Sequence, residues 1–116
     1  MDAKSYFKVA GGGVRVKVVH VVDAVADTVI DNRDAVLFPR LVATLRKSRE
    51  RSSTRVYPRE FEALNPVPTV DVVSVEEAEK FVEIVKKRAN VSPYERAVKI
   101  GFENDVYIVA LEHACG

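Results

Sequence analysis

Val14, Val16 and Val18 alternate with Arg15 and Lys17, and from Val18 to Val22 only His20 interrupts an apolar run. Alternation with a period of two describes a strand with one wet face. The apolar continuation describes the same strand entering the middle of a sheet, covered on both sides. A chain containing such a segment must build a sheet around it.

A second stretch obeys the same period. Val98, Ile100 and Phe102 alternate with Lys99, Gly101 and Glu103, and Val106 to Leu111 returns after a turn at Asn104-Asp105. This predicts a C-terminal hairpin. Ser92-Pro93-Tyr94-Glu95 also has the chemistry of a helix start, but the period-two pattern favours the hairpin. Thr69 to Val73 reads as a short strand. Tyr6 to Ala10 reads as another, ahead of Gly11-Gly12-Gly13, whose residues accept the positive φ of a tight reversal.

Two segments carry the helical period. Ser74 opens one of them with Glu77 at capping-box spacing, and Ala78, Phe81, Val82 and Val85 form its apolar stripe. Its acids come early and its bases late, as the helix dipole prefers, and Asn90 suits its end. Pro39 opens the other, with Leu41, Val42, Leu45 and Ser48 on one side and Arg40, Ala43, Arg46, Lys47, Glu50 and Arg51 on the other. It should fail at Ser52-Ser53, leaving residues 52–68 as a long loop carrying Pro58, Pro66 and Pro68, of a length that is functional or mobile in a compact domain.

Residues 23–38 admit two readings. Val22, Val25, Ala26, Val29 and Ile30 fit a helix stripe. Equally, Thr28-Val29-Ile30 and Ala35-Val36-Leu37-Phe38 fit a hairpin about Asp31-Asn32-Arg33-Asp34. Aspartates stacked at i, i+4 (Asp23, Asp27, Asp31) repel, which tilts the choice to the hairpin. The order of elements predicts an α+β fold: a two-layer domain with a mixed, mostly antiparallel sheet and two main helices on one face.

At 116 residues, 47 % apolar and 30 % charged, residues 1–116 form one domain with a core of its own. No stretch approaches the roughly 18 apolar residues of a membrane span. The N-terminus lacks the layout of a signal peptide. A single cysteine, Cys115, agrees with a reducing interior, so the expected location is cytoplasmic, with no membrane partner. Glutamine and tryptophan are absent while Lys, Arg and Glu abound, which is the tendency of hyperthermophile proteins.

The near-neutral total charge conceals an uneven distribution. Between Pro39 and Arg59 stand seven bases, Arg40, Arg46, Lys47, Arg49, Arg51, Arg55 and Arg59, against the single acid Glu50, a local +6. The remainder, with 11 bases and 16 acids, is at −5. Residues 75–89 balance acid and base at i, i+4 like a structural surface helix, whereas Lys47 and Arg51 repel. Arginine's planar fork binds phosphate bidentately, and Tyr57 among these charges can stack on an unpaired base. The segment therefore predicts backbone-phosphate binding to nucleic acid, DNA or RNA, through a basic helix and loop. The alternative is a protein-interaction or oligomerisation module, in which the segment docks on an acidic partner or on a second copy of the chain.

Catalytic signals are weaker. Asp23, Asp27, Asp31 and Asp34 would hold Mg²⁺, as in a metal-dependent nuclease, only if residues 23–38 were helical. Turn chemistry is the plainer account of them. Asp23 alone would sit at a strand end, where α/β sheets carry catalytic acids, but without a second acid identified beside it. His113 and Cys115 supply two ligands where zinc needs three or four, and His20 reads as a strand-face histidine. Gly11-Gly12-Gly13 lacks the Lys-Ser/Thr of a phosphate loop, and there is no GxSxG, HExxH or CxxC. No cofactor is expected, and the balance is against an enzyme.

Overall fold

The alternating valines form the middle of the sheet. Strand β1 (Val14–Val21) is bordered along its whole length by β6 (Asp105–His113), antiparallel, from Val14 opposite His113 to Val21 opposite Val106. Its other edge is shared: β4 (Thr69–Val73) runs antiparallel to Val14–Val18, and β3 (Ser53–Thr54) runs parallel beside His20 and Val21. Beyond β6 lies β5 (Val98–Phe102), and beyond that the two-residue β2 (Thr28–Val29), parallel to β5. The computed structural model describes residues 13–51, 53–54 and 68–114. Among these the sheet has six strands, mixed and mostly antiparallel, and the fold is α+β. The strand expected at Tyr6 to Ala10 and most of the 52–68 loop lie outside the described residues, but Ser53–Thr54, expected as loop, is drawn into the sheet by parallel pairing with His20 and Val21.

Two main helices accompany the sheet, α2 (Pro39–Arg51) and α3 (Val75–Ala89), with a single-turn α1 (Asn32–Ala35) before them. The expected stripes are the buried ones: Leu41, Val42, Leu45 and Ser48 in α2, and Ala78, Phe81, Val82 and Val85 in α3. Apart from Ser48 they join one core with Val14, Val16 and Val18 of β1, Val98, Ile100 and Phe102 of β5, and Tyr107, Val109 and Leu111 of β6. Strand side chains alternate between faces, so these i, i+2 sets define the face that meets the helices. The opposite face carries Val19, Val21 and Ile108, with Ala24 and Val106 packed on them.

Helix caps explain where the helices begin. Ser74 Oγ accepts the Glu77 N–H at 3.2 Å, and Asn90 ends α3 in the left-handed conformation at φ 54°. The Glu77 carboxylate does not close the capping box. Its Oε1 accepts the Arg40 N–H of α2 at 2.8 Å instead. Phe38, which precedes α2, has no side-chain acceptor and Pro39 has no N–H, so a carboxylate from the neighbouring helix satisfies this orphan donor.

Residues 23–38 form neither the predicted hairpin nor a long helix. Thr28–Val29 is a strand, but its partner is β5. Asp31 then caps α1: its Oδ1 accepts from the N–H groups of Arg33 (2.9 Å) and Asp34 (3.0 Å), while Asp34 Oδ2 accepts the Asp31 N–H at 3.0 Å. That reciprocal box starts a helical turn where the hairpin needed a reversal. Asp34 is buried and takes a bidentate contact from Arg88 of α3 at 2.7 and 2.9 Å. The Arg88 guanidinium holds the Asp34 carboxyl below the usual carboxylate range.

Two glycines are explained by close approach. A Cβ on Gly13 would stand 2.6 Å from the Val73 carbonyl oxygen of β4, a close strand approach that only glycine allows; Gly11 and Gly12, and with them the expected reversal, lie outside the described residues. A Cβ on Gly101 would stand 3.0 Å from Val29 Cγ2 and 3.3 Å from Ala26 Cβ, in the segment joining β1 to β2. Gly101→Val should therefore force that segment off β5 and destabilise the protein by about 1–3 kcal/mol, read as a lower urea midpoint. An unchanged midpoint would show that the crossover yields freely.

Candidate nucleic-acid interface

Within α2 five bases face one acid, a charge of +4, whereas α3 carries four acids and four bases. At about 100° per residue the buried stripe divides the bases into two rows. Arg40, Lys47 and Arg51, at spacings of seven and four, line one flank over roughly 16 Å of helix. Arg46 and Arg49 line the other. All five are exposed. Arg49 and Arg51 in the last turn also complement the helix dipole, a structural role for part of the charge.

The two rows differ in their partners. Arg46 Nε lies 2.9 Å from Glu103 Oε1, with its guanidinium 5.5 Å from the centre of the Phe102 ring. Arg49 Nε lies 3.2 Å from Asp105 Oδ2. Among the described residues Arg40, Lys47 and Arg51 make no ion pair. The Arg46 and Glu103 side chains are 56 % and 41 % exposed, so their pair is worth about 0.2–1 kcal/mol, while Asp105, at 22 %, is more enclosed than its partner Arg49. These contacts orient the arginines without holding them strongly.

Strand register places the acids. The β5–β6 turn lies one residue earlier than the expected Asn104-Asp105: Phe102 pairs with Asp105, leaving Glu103 and Asn104 as the two turn residues at φ 50° and 66°. Two successive positive φ values are the pattern of a type I′ turn, which suits the twist of a hairpin. Asp105 consequently opens β6 on the same face as Phe102 and Tyr107, towards α2. A slip of one residue would turn it to the other face.

His20 completes the arrangement. In register with Tyr107 on the core face of β1, it is 7 % exposed, with its ring centre 5.1 Å from that of Tyr107. Its Nε2 lies 3.0 Å from Asp105 Oδ1. A carboxylate only accepts, so the imidazole proton belongs on Nε2. The other nitrogen, Nδ1, is buried without a hydrogen-bond partner among the described residues. Asp105 thus bridges the end of β1 to the basic helix, with one oxygen on His20 and the other on Arg49.

Burial, reinforced by the Asp105 and Glu103 carboxylates and opposed by Arg49 and Arg46, pushes the Tyr107 hydroxyl up to about 12. In the unfolded chain a tyrosine ionises near 10. The folded state therefore keeps a proton that the unfolded state loses, so stability holds below about pH 10 and falls as pH rises towards 12. Tyr107→Phe should flatten the alkaline limb of the stability–pH profile between these values, checked by urea titrations at pH 8 to 11.5. A wild-type slope in the variant would assign the loss to other groups.

Of the residues expected to bind nucleic acid, Arg40, Arg46, Lys47, Arg49 and Arg51 share α2, while Arg55, Tyr57 and Arg59 lie outside the described residues. Glu103, Asp105, His20 and Tyr107 were missed. The available signal was a pair of acids around Asn104, facing a strand that ends near a histidine. The aspartates do not form a ladder. Asp27 accepts the Lys99 N–H at 2.9 Å, Asp31 caps α1, Asp34 pairs with Arg88, and Asp23 lies just past β1 at φ 57°. His113 ends β6, Cys115 lies outside the described residues, and no group of three or more potential metal ligands occurs among those described. No helix of the described residues is long and apolar enough to cross a membrane. No family model, no curated protein and no solved structure matches the chain.

Proposed function

We propose that this is a small cytoplasmic nucleic-acid-associated protein that binds the phosphate backbone through α2. The observation that carries the reading is the row of Arg40, Lys47 and Arg51, exposed along one flank of a helix at +4 and without ion pairs among the described residues. Three cations over roughly 16 Å can follow successive phosphates. Binding then proceeds by counterion release, and the contacts carry little base information. The acidic remainder of the chain, at −5, orients the molecule so that this helix meets the polyanion first.

Fluorescence anisotropy of labelled duplex and single-stranded DNA and RNA, titrated across a salt series, tests it. Three engaged cations predict a slope of log K against log salt of about −3 on duplex DNA. No binding at low salt to any of these probes removes the reading and turns attention to an acidic protein partner.

A further inference from the structure

Resting on that reading, we propose that the β5–β6 turn is a built-in competitor for phosphate: Glu103 and Asp105 occupy Arg46 and Arg49, and a bound polyanion must displace them to recruit the second basic row.

The selectivity of the contacts supports this. Among the described residues, the only cations of α2 in ion pairs are those on the flank facing the turn, each held by one carboxylate at 2.9 or 3.2 Å. A carboxylate oxygen offers an arginine the same charged acceptor as a phosphate oxygen. The turn itself is not built for ease of folding. A type I′ turn favours Asn-Gly, yet Glu103 occupies its first position at φ 50°, a conformation unfavourable for a residue with a Cβ. A glycine there would relax the backbone and remove the carboxylate that reaches Arg46. Asp105 is aimed from behind, since His20 Nε2 holds Oδ1 at 3.0 Å and leaves Oδ2 for Arg49.

The strength of the contacts fits a competitor better than a clamp. Arg88 and Asp34 show what a fixed pair looks like in this protein: bidentate, with the acid's side chain only 9 % exposed. The turn pairs are single contacts through Nε, with the acids Glu103 and Asp105 themselves 41 % and 22 % exposed. Exposed pairs of this kind give way to a denser source of negative charge, and they weaken as salt rises. A polyanion must reach such a density before it displaces both acids. On a short duplex the turn holds α2 to the three cations that have no ion pair among the described residues, and removing both carboxylates frees two more.

The test is the salt dependence of binding to a labelled 20-mer duplex DNA by three proteins: wild type, the double variant Glu103→Gln/Asp105→Asn, and Glu112→Gln. Both substitutions in the double variant keep the side-chain shape, and asparagine can still accept from His20 Nε2. Glu112 pairs with Arg15 and Lys17 on β1, so its neutralisation controls for the general gain of positive charge. The double variant should steepen the slope from about −3 to about −5, two further phosphates, with a tighter Kd at each salt concentration. Glu112→Gln should leave the slope unchanged. Equal slopes for wild type and double variant overturn the competitor while leaving the interface standing, and so does a slope increase shared by Glu112→Gln. Binding by the double variant alone, with none by wild type, removes the interface at Arg40, Lys47 and Arg51 and with it the competitor that rests on it. Absence of binding by all three proteins removes the interface and the competitor together.

Discussion

Replacing Lys47 and Arg51 together by glutamate should weaken binding to duplex DNA at least about tenfold at low salt and cut the salt slope from about −3 to about −1. With Arg40 these two positions, one helical turn apart, form the row that has no ion pair among the described residues, so both lost phosphate contacts fall on the same stretch of backbone. Arg46 and Arg49 are the wrong targets for charge reversal. Glutamate at either position would face Glu103 or Asp105, now 2.9 and 3.2 Å from the arginines, and the repulsion would confound folding with binding. At 47 and 51 the structural cost is small: one like-charged i, i+4 pair replaces another, and acids near a helix C-terminus cost a few tenths of a kcal/mol. Anisotropy gives the affinity, and a thermal melt by circular dichroism verifies the fold. A folded variant that binds with the wild-type slope would exclude this row from the interface.

Phe81→Ala should destabilise the protein by about 3–5 kcal/mol. Phe81 is fully buried in α3 and meets Phe38 edge-on, with ring centres 5.4 Å apart and planes at 82°. Phe38 is the residue from which α2 departs, so this aromatic pair joins the entry of the basic helix to its neighbour. Truncation removes a large apolar area, the edge-to-face contact and the packing of Phe38 together. Against a typical total of about 5–15 kcal/mol for a domain, the variant would sit near the edge of folding. Guanidinium unfolding monitored by circular dichroism measures the loss. A change below about 1.5 kcal/mol would mean that the core closes over the gap.

Much of the fold is legible because its signals are local. Period two marks β1 and the β5–β6 hairpin, and period 3.6 marks α2 and α3, since the side chains that must be buried recur at the geometry of the element itself. Residues 23–38 were not legible. Asp31 and Asp34 serve a helical cap as well as a hairpin turn, and the choice follows from Arg88, 54 positions away, which draws Asp34 into a buried pair. β2 has only two residues, and its partner β5 is distant in sequence. Nothing within so short a segment specifies that pairing.

The candidate site divides along the same line. Sequence alone determined that five bases share one helix, because their spacing around the apolar stripe of α2 leaves them no other face. Only the tertiary structure decided which of them have partners. The one-residue position of the Glu103-Asn104 turn points Asp105 at α2, strand pairing brings His20 beside Tyr107, and helix packing sets Arg46 and Arg49 over both acids. Charge sign is a property of each residue, but its availability depends on what the fold places within about 4 Å of it. That distance is set by register and packing, which no local window of the chain contains.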